Sequence, residues 1–242
     1  MVDQLKNIIR NILNFLHLDV TKNLKYDRLT IKIMRKVIQR NSNCIDVGCH
    51  KGEILTKIIE LSPDGKHYAF EPIPSFYNKL IDNFKGNVTI LPFALSNTNG
   101  TTSFQFVKNA PAYSGIKKRK YAISNPEIEE ITVELKKLDD VIPASILINF
   151  IKIDVEGAEF DVLKGSKELI LRCKPIIVFE FGLGANDLYN SSPDDLFDFL
   201  TNETQLKISS LENWIKNKNS YTKSEFVNCF NSSSEYYFIA YP

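Results

Sequence analysis

The sequence predicts an α/β fold, a mostly parallel sheet with helices on both faces. Three short apolar runs each end in an acidic residue, at Asp46, Glu71 and Asp154, and each is followed by a glycine or proline and then by a helical pattern. Strands that alternate with helices in this way are typical of βαβ units, whose strands run parallel. At 242 residues the chain is long enough for one such domain with a buried core.

The first turn, between a strand ending near Val47 and a helix beginning near Glu53, contains Gly48 and Gly52. Glycine adopts backbone angles that are closed to other residues and lets a ligand approach the bare backbone. The dinucleotide-binding pattern would need further glycines at positions 50 and 53, where the chain has His50 and Glu53. The turn therefore predicts a ligand-binding loop and argues against a nicotinamide or flavin cofactor.

Charge and cysteine content exclude several classes of protein. The 30 Lys and Arg residues nearly balance 29 Asp and Glu residues, which gives no general electrostatic case for a nucleic-acid partner. The four cysteines form no Cys-x-x-Cys pair and have no histidine at metal-finger spacing, so no zinc site is expected. Reduced thiols favour a cytoplasmic location.

The amino-terminal 40 residues are predicted to form a helical extension, and residues 41–242 the main domain. Residues 5–18 place apolar side chains at helical spacing, with Lys6 and Arg10 elsewhere on the wheel. The apolar runs are too interrupted for a signal-peptide core or a membrane span. This amphipathic helix would dock on the domain, contact a partner subunit of a homo-oligomer, or contact a membrane surface. A second helix is expected from a cap at Asp27 to Arg40.

The remaining pattern predicts the other elements of the sheet. Alternating apolar residues at 102–106 and 131–135 indicate an antiparallel pair that extends the sheet or covers an edge. The other expected elements are strands at 67–70, 88–91, 146–153 and 175–181, helices at 74–84, 158–172 and 192–201, and two closing strands at 206–211 and 236–241.

The spacing Asp46-x-Gly48-x-x-x-Gly52 resembles the first motif of class I S-adenosylmethionine-dependent methyltransferases. In that class an acid that ends the second strand holds the ribose hydroxyls, and here it would be Glu71. A carboxylate has two oxygens to accept hydrogen bonds from two neighbouring hydroxyls. The apolar wall for adenine would come from the loop after the third strand, although these residues could instead be core. The expected cofactor contacts are Asp46, Gly48, Cys49, His50, Gly52, Glu71, Pro72, Phe93, Ala94, Leu95 and Asp154.

The segment from Phe150 to Gly165, with the run Lys-Ile-Asp-Val-Glu-Gly-Ala-Glu, resembles the most distinctive signature of the FkbM family of methyltransferases. The resemblance extends to the Ala-Leu-Ser stretch at 94–96, the Tyr-Ser-Gly at 113–115 and the Leu-Asp-Asp at 138–140. It implies a class I, Rossmann-like methyltransferase that transfers a methyl group from S-adenosylmethionine, usually to an oxygen of a sugar in a surface glycan or of a secondary metabolite. His50 departs from the family's commoner loop, which has a small or amide residue there.

Acidic residues are expected to supply the chemistry. Ligands of open parallel sheets bind at the carboxyl ends of the strands, where Asp154 and Glu180 should lie. Methyl transfer to a hydroxyl needs an aligned acceptor and a base, or a metal that lowers the hydroxyl pKa. We predict Asp154 as the base or a metal ligand, Glu180 as its partner and Glu156 as a further acid of the site. His50 would be a base or a contact for the cofactor carboxylate, and Glu159 either a helix cap or catalytic.

A metal is optional in this prediction. Asp154 and Glu180 would be its ligands, and Mg²⁺ suits an all-oxygen cluster although the spacing does not require it.

A long loop, 107–130, is expected to contact the acceptor through Tyr113, Ser114 and Lys117. Its basic run, 117–120, is either a solvated tip or a site for a phosphate or carboxylate on the acceptor. Two further functions are possible from sequence: a nicotinamide-dependent oxidoreductase, and a non-catalytic cofactor-binding partner of another enzyme. The Asn/Asp-Pro-Pro-aromatic turn of base-modifying nucleic-acid methyltransferases does not occur after Asp154.

Overall fold

The structure, a computed structural model, describes residues 22–119, 121 and 123–242. The predicted amphipathic helix at 5–18 and Lys120 of the basic run lie outside the described residues. Within the described part of the chain, no helix combines the length and the apolar character that crossing a bilayer requires.

A seven-stranded sheet forms the centre of the fold and confirms the predicted α/β class. Its strands occur in the order β3-β2-β1-β7-β8-β10-β9, and all pair in parallel except β10, which runs antiparallel to both of its neighbours. The carboxyl ends of β1, β2, β7 and β8 therefore meet at one edge. The strands are β1 Cys44–Val47, β2 His67–Phe70, β3 Val88–Leu91, β7 Phe150–Ile153, β8 Ile176–Glu180, β9 Lys207–Ser210 and β10 Tyr237–Tyr241.

A separate three-stranded sheet contains β4 Phe93–Leu95, β5 Gly100–Val107 and β6 Ile128–Lys136, in the order β4-β6-β5. The predicted antiparallel pair is β5 and β6. The pair does not extend the central sheet, because it forms a separate sheet with β4, which pairs with β6 in parallel. Phe104 and Val133 of this sheet pack with Ile73, Phe76 and Ala94 in a small apolar cluster, which fixes the second sheet beside the end of β2.

Helices cover both faces of the central sheet, and both faces are apolar. Ile45 and Val47 of β1 belong to one buried cluster, whereas Cys44 belongs to another that includes Ile33 and Met34. The helices are α1 Lys22–Val37, α2 Glu53–Leu61, α3 Pro74–Asn83, α4 Leu138–Val141, α5 Glu159–Lys164, α6 Lys167–Cys173, α7 Pro193–Asp198, α8 Leu211–Ile215 and α9 Lys223–Asn231.

The bounds of α1 differ from the prediction. Asp27 lies inside the helix rather than capping it, and the helix ends at Val37 rather than at Arg40. Tyr26 is buried, and its ring stands 4.7 Å from that of Tyr236 and 5.0 Å from that of Tyr237. This packing against β10 extends the helix upstream of the polar residue that resembled a cap.

The single helix predicted at 158–172 is two helices, and the strand predicted from Ile146 begins at Phe150. A Cβ at Gly165 would lie 2.0 Å from the carbonyl oxygen of Ser96, so the chain bends there to pass it. Ahead of β7, the Asn149 side chain instead accepts a hydrogen bond from the backbone of Asn43. The link between the two closing strands contains α8 and α9.

Candidate active site

Two adjoining cavities lie where the carboxyl ends of β1, β2 and β7 meet. The first has a volume of about 200 Å³ and extends toward the second sheet, and the other has about 150 Å³ and lies against α1. Gly48, His50 and Asp154 line both. The ligand-binding loop and the principal predicted acid therefore share one pair of cavities.

Glu71 is a buried carboxylate on the wall of the first cavity. It accepts hydrogen bonds from the backbone N–H groups of His50 at 2.8 Å and Ile73 at 2.9 Å. Burial raises its pKa to about 7, although these two hydrogen bonds oppose the rise. The same cavity is lined by Pro72 and by the predicted apolar wall, namely Phe93, Ala94 and Leu95.

The two glycines of the loop have different roles. Gly48 has a φ of +77°, and a Cβ there would lie 2.0 Å from the Asp154 carbonyl oxygen, so β1 can turn against the end of β7 only without a side chain. Gly52, with a φ of +79°, packs on the Phe84 ring at the start of α2 and lines neither of these two cavities. Gly52 therefore has a packing role between two helices, and its contact with the cofactor stays a prediction.

Cys49 and His50 follow Gly48. Cys49 is buried in the core, and burial together with the nearby Asp46 and Glu71 raises the pKa of its thiol, so it remains a thiol at neutral pH. It still borders the second cavity. The His50 ring lies 4.5 Å from that of Phe76, and its Nε2 is buried without a hydrogen-bond partner among the described residues. Burial lowers the pKa of His50, which keeps the imidazole neutral.

Asp46 and Lys152 form the floor of the second cavity. Asp46 is 2% exposed, and its Oδ2 has no partner among the described residues. Burial raises its pKa to about 7, although the Lys152 charge works against the rise. Lys152 is 4% exposed, and its Nζ lies 3.0 Å from Asp154 Oδ2 and 4.9 Å from the centre of the Tyr237 ring.

The Asp154 carboxylate has hydrogen bonds with three neighbouring side chains, Lys152, Tyr237 and Glu180. Its Oδ2 accepts hydrogen bonds from Lys152 and from the Tyr237 hydroxyl. Burial opposes ionisation of Asp154, but Lys152, Tyr237 and a hydrogen bond with Glu180 outweigh it and lower the pKa. For Glu180, burial and the charges of Asp154 and Glu156 raise the pKa well above its usual value. Of these two carboxyl groups, Asp154 is thus the stronger acid and Glu180 the weaker.

Glu156 completes a group of three acids. Carboxylate oxygens of Asp154, Glu156 and Glu180 lie within 4.8 Å of one another. Burial and the charge of Asp154 raise the pKa of Glu156 to about 8, although the Arg119 guanidinium, which forms a salt bridge with it, opposes the rise. At neutral pH, this acid cluster, Asp154, Glu156 and Glu180, therefore holds protons among its members, and three oxygens so spaced are also suitable for a divalent cation.

Glu159 has a structural position. It is fully buried and accepts hydrogen bonds from the N–H groups of Val155 at 2.9 Å and Gly157 at 3.2 Å, and from the Asn186 amide at 2.6 Å. These contacts hold the loop that presents Asp154 and Glu156. Of the two roles predicted for Glu159, the structure favours the structural one.

The loop after β5 brings only part of the predicted acceptor site together. Ser114 lines the first cavity, but its hydroxyl accepts a hydrogen bond from the Val107 N–H at 3.0 Å. The Tyr113 ring lies outside the cavity wall, 5.0 Å from the Arg119 guanidinium. Lys117 is exposed, and its backbone N–H donates to the Tyr189 hydroxyl at 3.0 Å. From this loop, Arg119 is the cation that contacts the acid cluster.

Sequence reasoning missed Lys152 and Tyr237 as residues of the site, and it did not single out Arg119 within the basic run 117–120. A lysine inside a buried apolar strand must have an anionic partner, so Lys152 carried a usable signal. Arg119 was indistinguishable from its neighbours in a run of four basic residues. Tyr237 comes from the antiparallel strand 83 residues after Asp154, and no local pattern marks that contact.

Comparison with known proteins decides the family. The model of a family described as the methyltransferase FkbM domain matches residues 46–206, more than half of the chain. This chain belongs to the FkbM methyltransferase family. It is therefore a methyltransferase, and the matched region contains the glycine loop, Glu71 and the acid cluster.

Similar proteins agree with this family. The chain is 26% identical to 2-O-methyltransferase NoeI of Sinorhizobium fredii over 168 residues, which cover 64% of this chain and 68% of NoeI. It is 30% identical to methyltransferase sdnD of Sordaria araneosa over 159 residues, which cover 53% of this chain and 61% of sdnD. A crystal structure of a methyltransferase FkbM from Methylobacillus flagellatus matches with a TM-score of 0.51 and 16% identity, covering 98% of this chain and 60% of that one. This structural likeness supports the fold, and the chain spans about two thirds or less of these relatives.

Proposed function

We propose that this FkbM-family protein is an S-adenosylmethionine-dependent O-methyltransferase that methylates a hydroxyl of a sugar in a surface glycan or of a secondary metabolite. The observation that carries the proposal is the position of the acid cluster beside the cavity that also contains Gly48 and Glu71. The printed name of one relative, a 2-O-methyltransferase, supports oxygen as the atom that is methylated.

The residues of the two cavities fit the methyl donor. The two oxygens of Glu71 suit the neighbouring ribose hydroxyls, and the apolar wall at 93–95 suits the adenine ring. In the second cavity, the buried Asp46 Oδ2 and His50 Nε2 have no partners among the described residues, and they suit the ammonium and carboxylate of an amino-acid end. When bound, S-adenosylmethionine supplies an electrophilic methyl group on its sulfonium.

A carboxylate of the acid cluster would then accept the proton of the acceptor hydroxyl. Asp154, first expected to be the base, is less basic than its neighbours because Lys152 and Tyr237 stabilise its anion. Glu156 has a pKa of about 8, close to the range in which a general base works best at neutral pH. We assign Glu156 as the group that accepts the hydroxyl proton, with Asp154 orienting the hydroxyl.

Besides the buried Lys152, the Arg119 guanidinium contacts the acid cluster, and its Nε is buried without a partner among the described residues. An acceptor with a carboxylate or phosphate would pair with this group. Replacement of Arg119 by Gln should then raise the acceptor KM at least tenfold, with a smaller change in kcat. The exposed Lys118 provides the control, since K118Q should leave both parameters unchanged.

The test is incubation of the purified protein with methyl-labelled S-adenosylmethionine and a panel of nucleotide sugars, free glycans and small phenols. We expect label in an alkali-stable methyl ether, and we expect D154N and E156Q to lose turnover while S-adenosylhomocysteine still raises their melting temperature. Turnover that stops on chelation with EDTA and returns with Mg²⁺ would instead indicate a cation held by Asp154 and Glu180. The proposal would be contradicted, and an oxidoreductase favoured, if NADH raised the melting temperature while calorimetry detected no binding of S-adenosylmethionine or S-adenosylhomocysteine.

A further inference from the structure

Tyr237 of β10 contacts the acid cluster from a strand that is distant in sequence. Its hydroxyl donates to Asp154 Oδ2, the same oxygen that accepts the Lys152 ammonium at 3.0 Å. The pairing of β10 with β8 places Tyr237 opposite Glu180. Two donors on one oxygen fix the rotation of the Asp154 carboxylate, because a turn about its Cβ–Cγ bond breaks both hydrogen bonds. The direction of the other oxygen, Oδ1, is thereby fixed as well.

The Tyr237 ring is held in place by its neighbours. The Tyr26 ring of α1 stacks on it at 5.0 Å, with an angle of 26° between the planes, and the Tyr236 ring lies edge-on at 5.9 Å. The Lys152 ammonium stands 4.9 Å from the ring centre. A hydroxyl on a ring packed in this way has little freedom to follow a moving carboxylate. Tyr237 therefore sets the position of Asp154.

Tyr237 differs from Lys152 in carrying no charge. Burial and the charges of Asp154 and Glu180 raise the pKa of Tyr237 well above its usual value, and Asp27 on α1 acts in the same direction. The hydroxyl thus stays protonated and remains a donor. Removal of Lys152 would leave carboxylates without their cation, whereas removal of the Tyr237 hydroxyl keeps the charge balance. The orientation of Asp154 can therefore be tested apart from its charge.

Asp154 lies where the two cavities meet. It lines both, and its carboxylate is within 4.8 Å of those of Glu156 and Glu180. Under the proposed function, the acceptor hydroxyl gives its proton to Glu156 while its oxygen forms a bond to the donor methyl carbon, and the electron pair of the broken carbon–sulfur bond stays on sulfur. This displacement needs the acceptor oxygen in line with the bond that breaks, so a small error in the direction of the Asp154 carboxylate lowers the rate.

We propose that Tyr237 is a positioning residue for methyl transfer, whose hydroxyl fixes the rotation of Asp154 and so aligns the acceptor hydroxyl with Glu156 and the methyl group. This inference rests on the function proposed above for the acid cluster. A tyrosine that only packs α1 against β10 would contribute to stability and leave the rate of the chemical step unchanged.

Tyr26 provides a matched control in the same stack of rings. Its hydroxyl donates to the Glu235 carboxylate and accepts a hydrogen bond from the Tyr236 N–H at 3.3 Å. Tyr26 lines neither of the two cavities. Tyr26→Phe therefore removes a hydroxyl that does not contact Asp154, whereas Tyr237→Phe removes the one that does. If the hydroxyl of Tyr237 served packing alone, the two substitutions would have similar effects.

The experiment compares Tyr237→Phe and Tyr26→Phe with the wild type, all as the full chain. With the acceptor that the panel of nucleotide sugars, glycans and phenols selects, Tyr237→Phe should lower kcat about 100-fold and change the acceptor KM less than about threefold. Its affinity for S-adenosylhomocysteine, measured by calorimetry, should stay within about threefold of the wild-type affinity. Tyr26→Phe should match the wild type in these measurements, and circular dichroism should show both variants folded.

A further measurement does not depend on turnover. Carbon-13 NMR of labelled aspartate carboxyl groups, assigned by comparison with Asp154→Asn, follows the titration of Asp154 in the ligand-free protein. Tyr237→Phe should raise the pKa of Asp154 by about one unit or more, because the anion loses a donor. Tyr26→Phe should leave this pKa unchanged.

Three results would overturn the proposal. The kcat of Tyr237→Phe stays within about threefold of the wild-type value, or Tyr26→Phe loses as much kcat as Tyr237→Phe, or the pKa of Asp154 is the same with and without the Tyr237 hydroxyl. Any of these with an active wild type rejects the role of Tyr237 alone. A wild type that neither binds S-adenosylhomocysteine nor methylates any acceptor would reject the proposed function, and this inference with it.

Discussion

Lys152 neutralises a pair of aspartates that the carboxyl ends of β1 and β7 bring together. Its ammonium is buried 3.0 Å from Asp154, and its charge also opposes the pKa rise of Asp46. A buried ion is costly to dehydrate, and removing one partner leaves the other without compensation. Lys152 therefore serves to compensate the charge of the two aspartates, and the packing of the sheet itself does not call for a lysine at this position.

We predict that Lys152→Met lowers the free energy of unfolding by about 3–5 kcal/mol, because it leaves the buried Asp46 and the partly buried Asp154 without their cation. The double change Lys152→Met with Asp154→Asn should recover at least about 1 kcal/mol of that loss, since the charge is removed with its partner. Urea denaturation of the four proteins of this cycle measures the coupling. The partly exposed pair of Lys164 and Asp161 is the control, and Lys164→Met should cost less than about 1 kcal/mol. Additive effects in the Lys152 cycle would contradict the argument.

If Glu71 holds the ribose as proposed, the affinity for the cofactor should depend on pH. The pKa of Glu71 in the unliganded protein is about 7, and an ionised carboxylate accepts hydrogen bonds from hydroxyls more strongly than a protonated one. We expect the affinity for S-adenosylhomocysteine, measured by calorimetry, to fall as the pH is lowered from 8 to 6, approaching tenfold per pH unit below the pKa. Glu71→Gln should bind more weakly at pH 8 and show a flatter profile. An equally steep profile in that variant would assign the effect to another group, of which Asp46 is the first candidate.

Gly48 should tolerate no side chain. Gly48→Ala combines a positive φ with a Cβ placed 2.0 Å from the Asp154 carbonyl oxygen, so the end of β7 must move. We expect a loss of about 2 kcal/mol or more in stability, and loss of the melting-temperature increase with S-adenosylhomocysteine. Gly86→Ala is the matched control, because Gly86 has a φ of +92° with nothing within 4 Å of its Cβ position. Its cost should be the backbone strain alone, about 1 kcal/mol.

Among the helices, the break between α5 and α6 is set by contacts from elsewhere in the chain. The Asp139 carboxylate accepts hydrogen bonds from the N–H groups of Glu168 at 3.0 Å and Leu169 at 2.8 Å, and so caps the start of α6. The Asp139 N–H donates to the Gly165 carbonyl. A residue 26 positions upstream of Gly165 thus begins the second helix, although the local sequence favours one continuous helix.

Asp139→Ala should therefore lower stability by about 1–2 kcal/mol, because two helix N–H groups lose their acceptor. Thermal unfolding followed by circular dichroism measures the change. The adjacent Asp140 is a suitable comparison, since its carboxylate bonds the exposed Asn99 amide and Asp140→Ala should cost about 0.5 kcal/mol or less. Equal losses in the two variants would show that the cap contributes little.

The difference between local patterns and contacts that are distant in sequence explains which parts of the fold the sequence could predict. The parallel strands β1, β2 and β3 have the predicted bounds, because buried apolar runs that end in Gly or Pro carry their own local signal. The same signal placed Asp46, Glu71 and Asp154 at one edge of the sheet. The helix break at Gly165, the loop before Phe150 and the position of Asp27 inside α1 depend on side chains distant in sequence. For the same reason the partners of Asp154 could not be assigned, since Tyr237 becomes its neighbour only when β10 pairs with β8.

At the scale of the whole protein, the site gathers several acidic side chains that are shielded from water and that contribute nothing to the apolar core. Asp46, Glu71 and Glu156 have pKa values of about 7, 7 and 8, all above their usual values, chiefly because burial disfavours their charged forms. A fold that holds acids in this way is less stable whenever they must ionise. Of these carboxylates, Asp46 has an oxygen without a hydrogen-bond partner among the described residues. The cofactor and acceptor, if they bind as proposed, add hydrogen bonds to all three.

This argument predicts how stability changes with pH. Between the usual carboxylate pKa values and pH 8, the folded state holds protons on these three acids that the unfolded state has released, so the free energy of unfolding must fall as the pH rises. His50 and His67 have lowered pKa values because of burial and act in the opposite direction, with an effect that is halved near the unfolded-state pKa of about 6.5 and small above about pH 7.5. The fall in the free energy of unfolding should therefore be clearest between pH 6.5 and 8. Its slope should reach about 1.4 kcal/mol per pH unit for each proton that the folded state still binds and the unfolded state does not.

Urea denaturation of the ligand-free protein across that range measures the slope, and Glu71→Gln should reduce it because one of the three acids is removed. Glu60→Gln, at an exposed end of α2, should leave the slope unchanged. A saturating concentration of S-adenosylhomocysteine should also flatten the wild-type profile, because hydrogen bonds from the ribose stabilise the ionised Glu71 and lower its folded-state pKa. If stability instead rose from pH 6.5 to 8 in the absence of ligand, the buried acids would be ionised already, and the proposed basicity of Glu156 would lose its physical support.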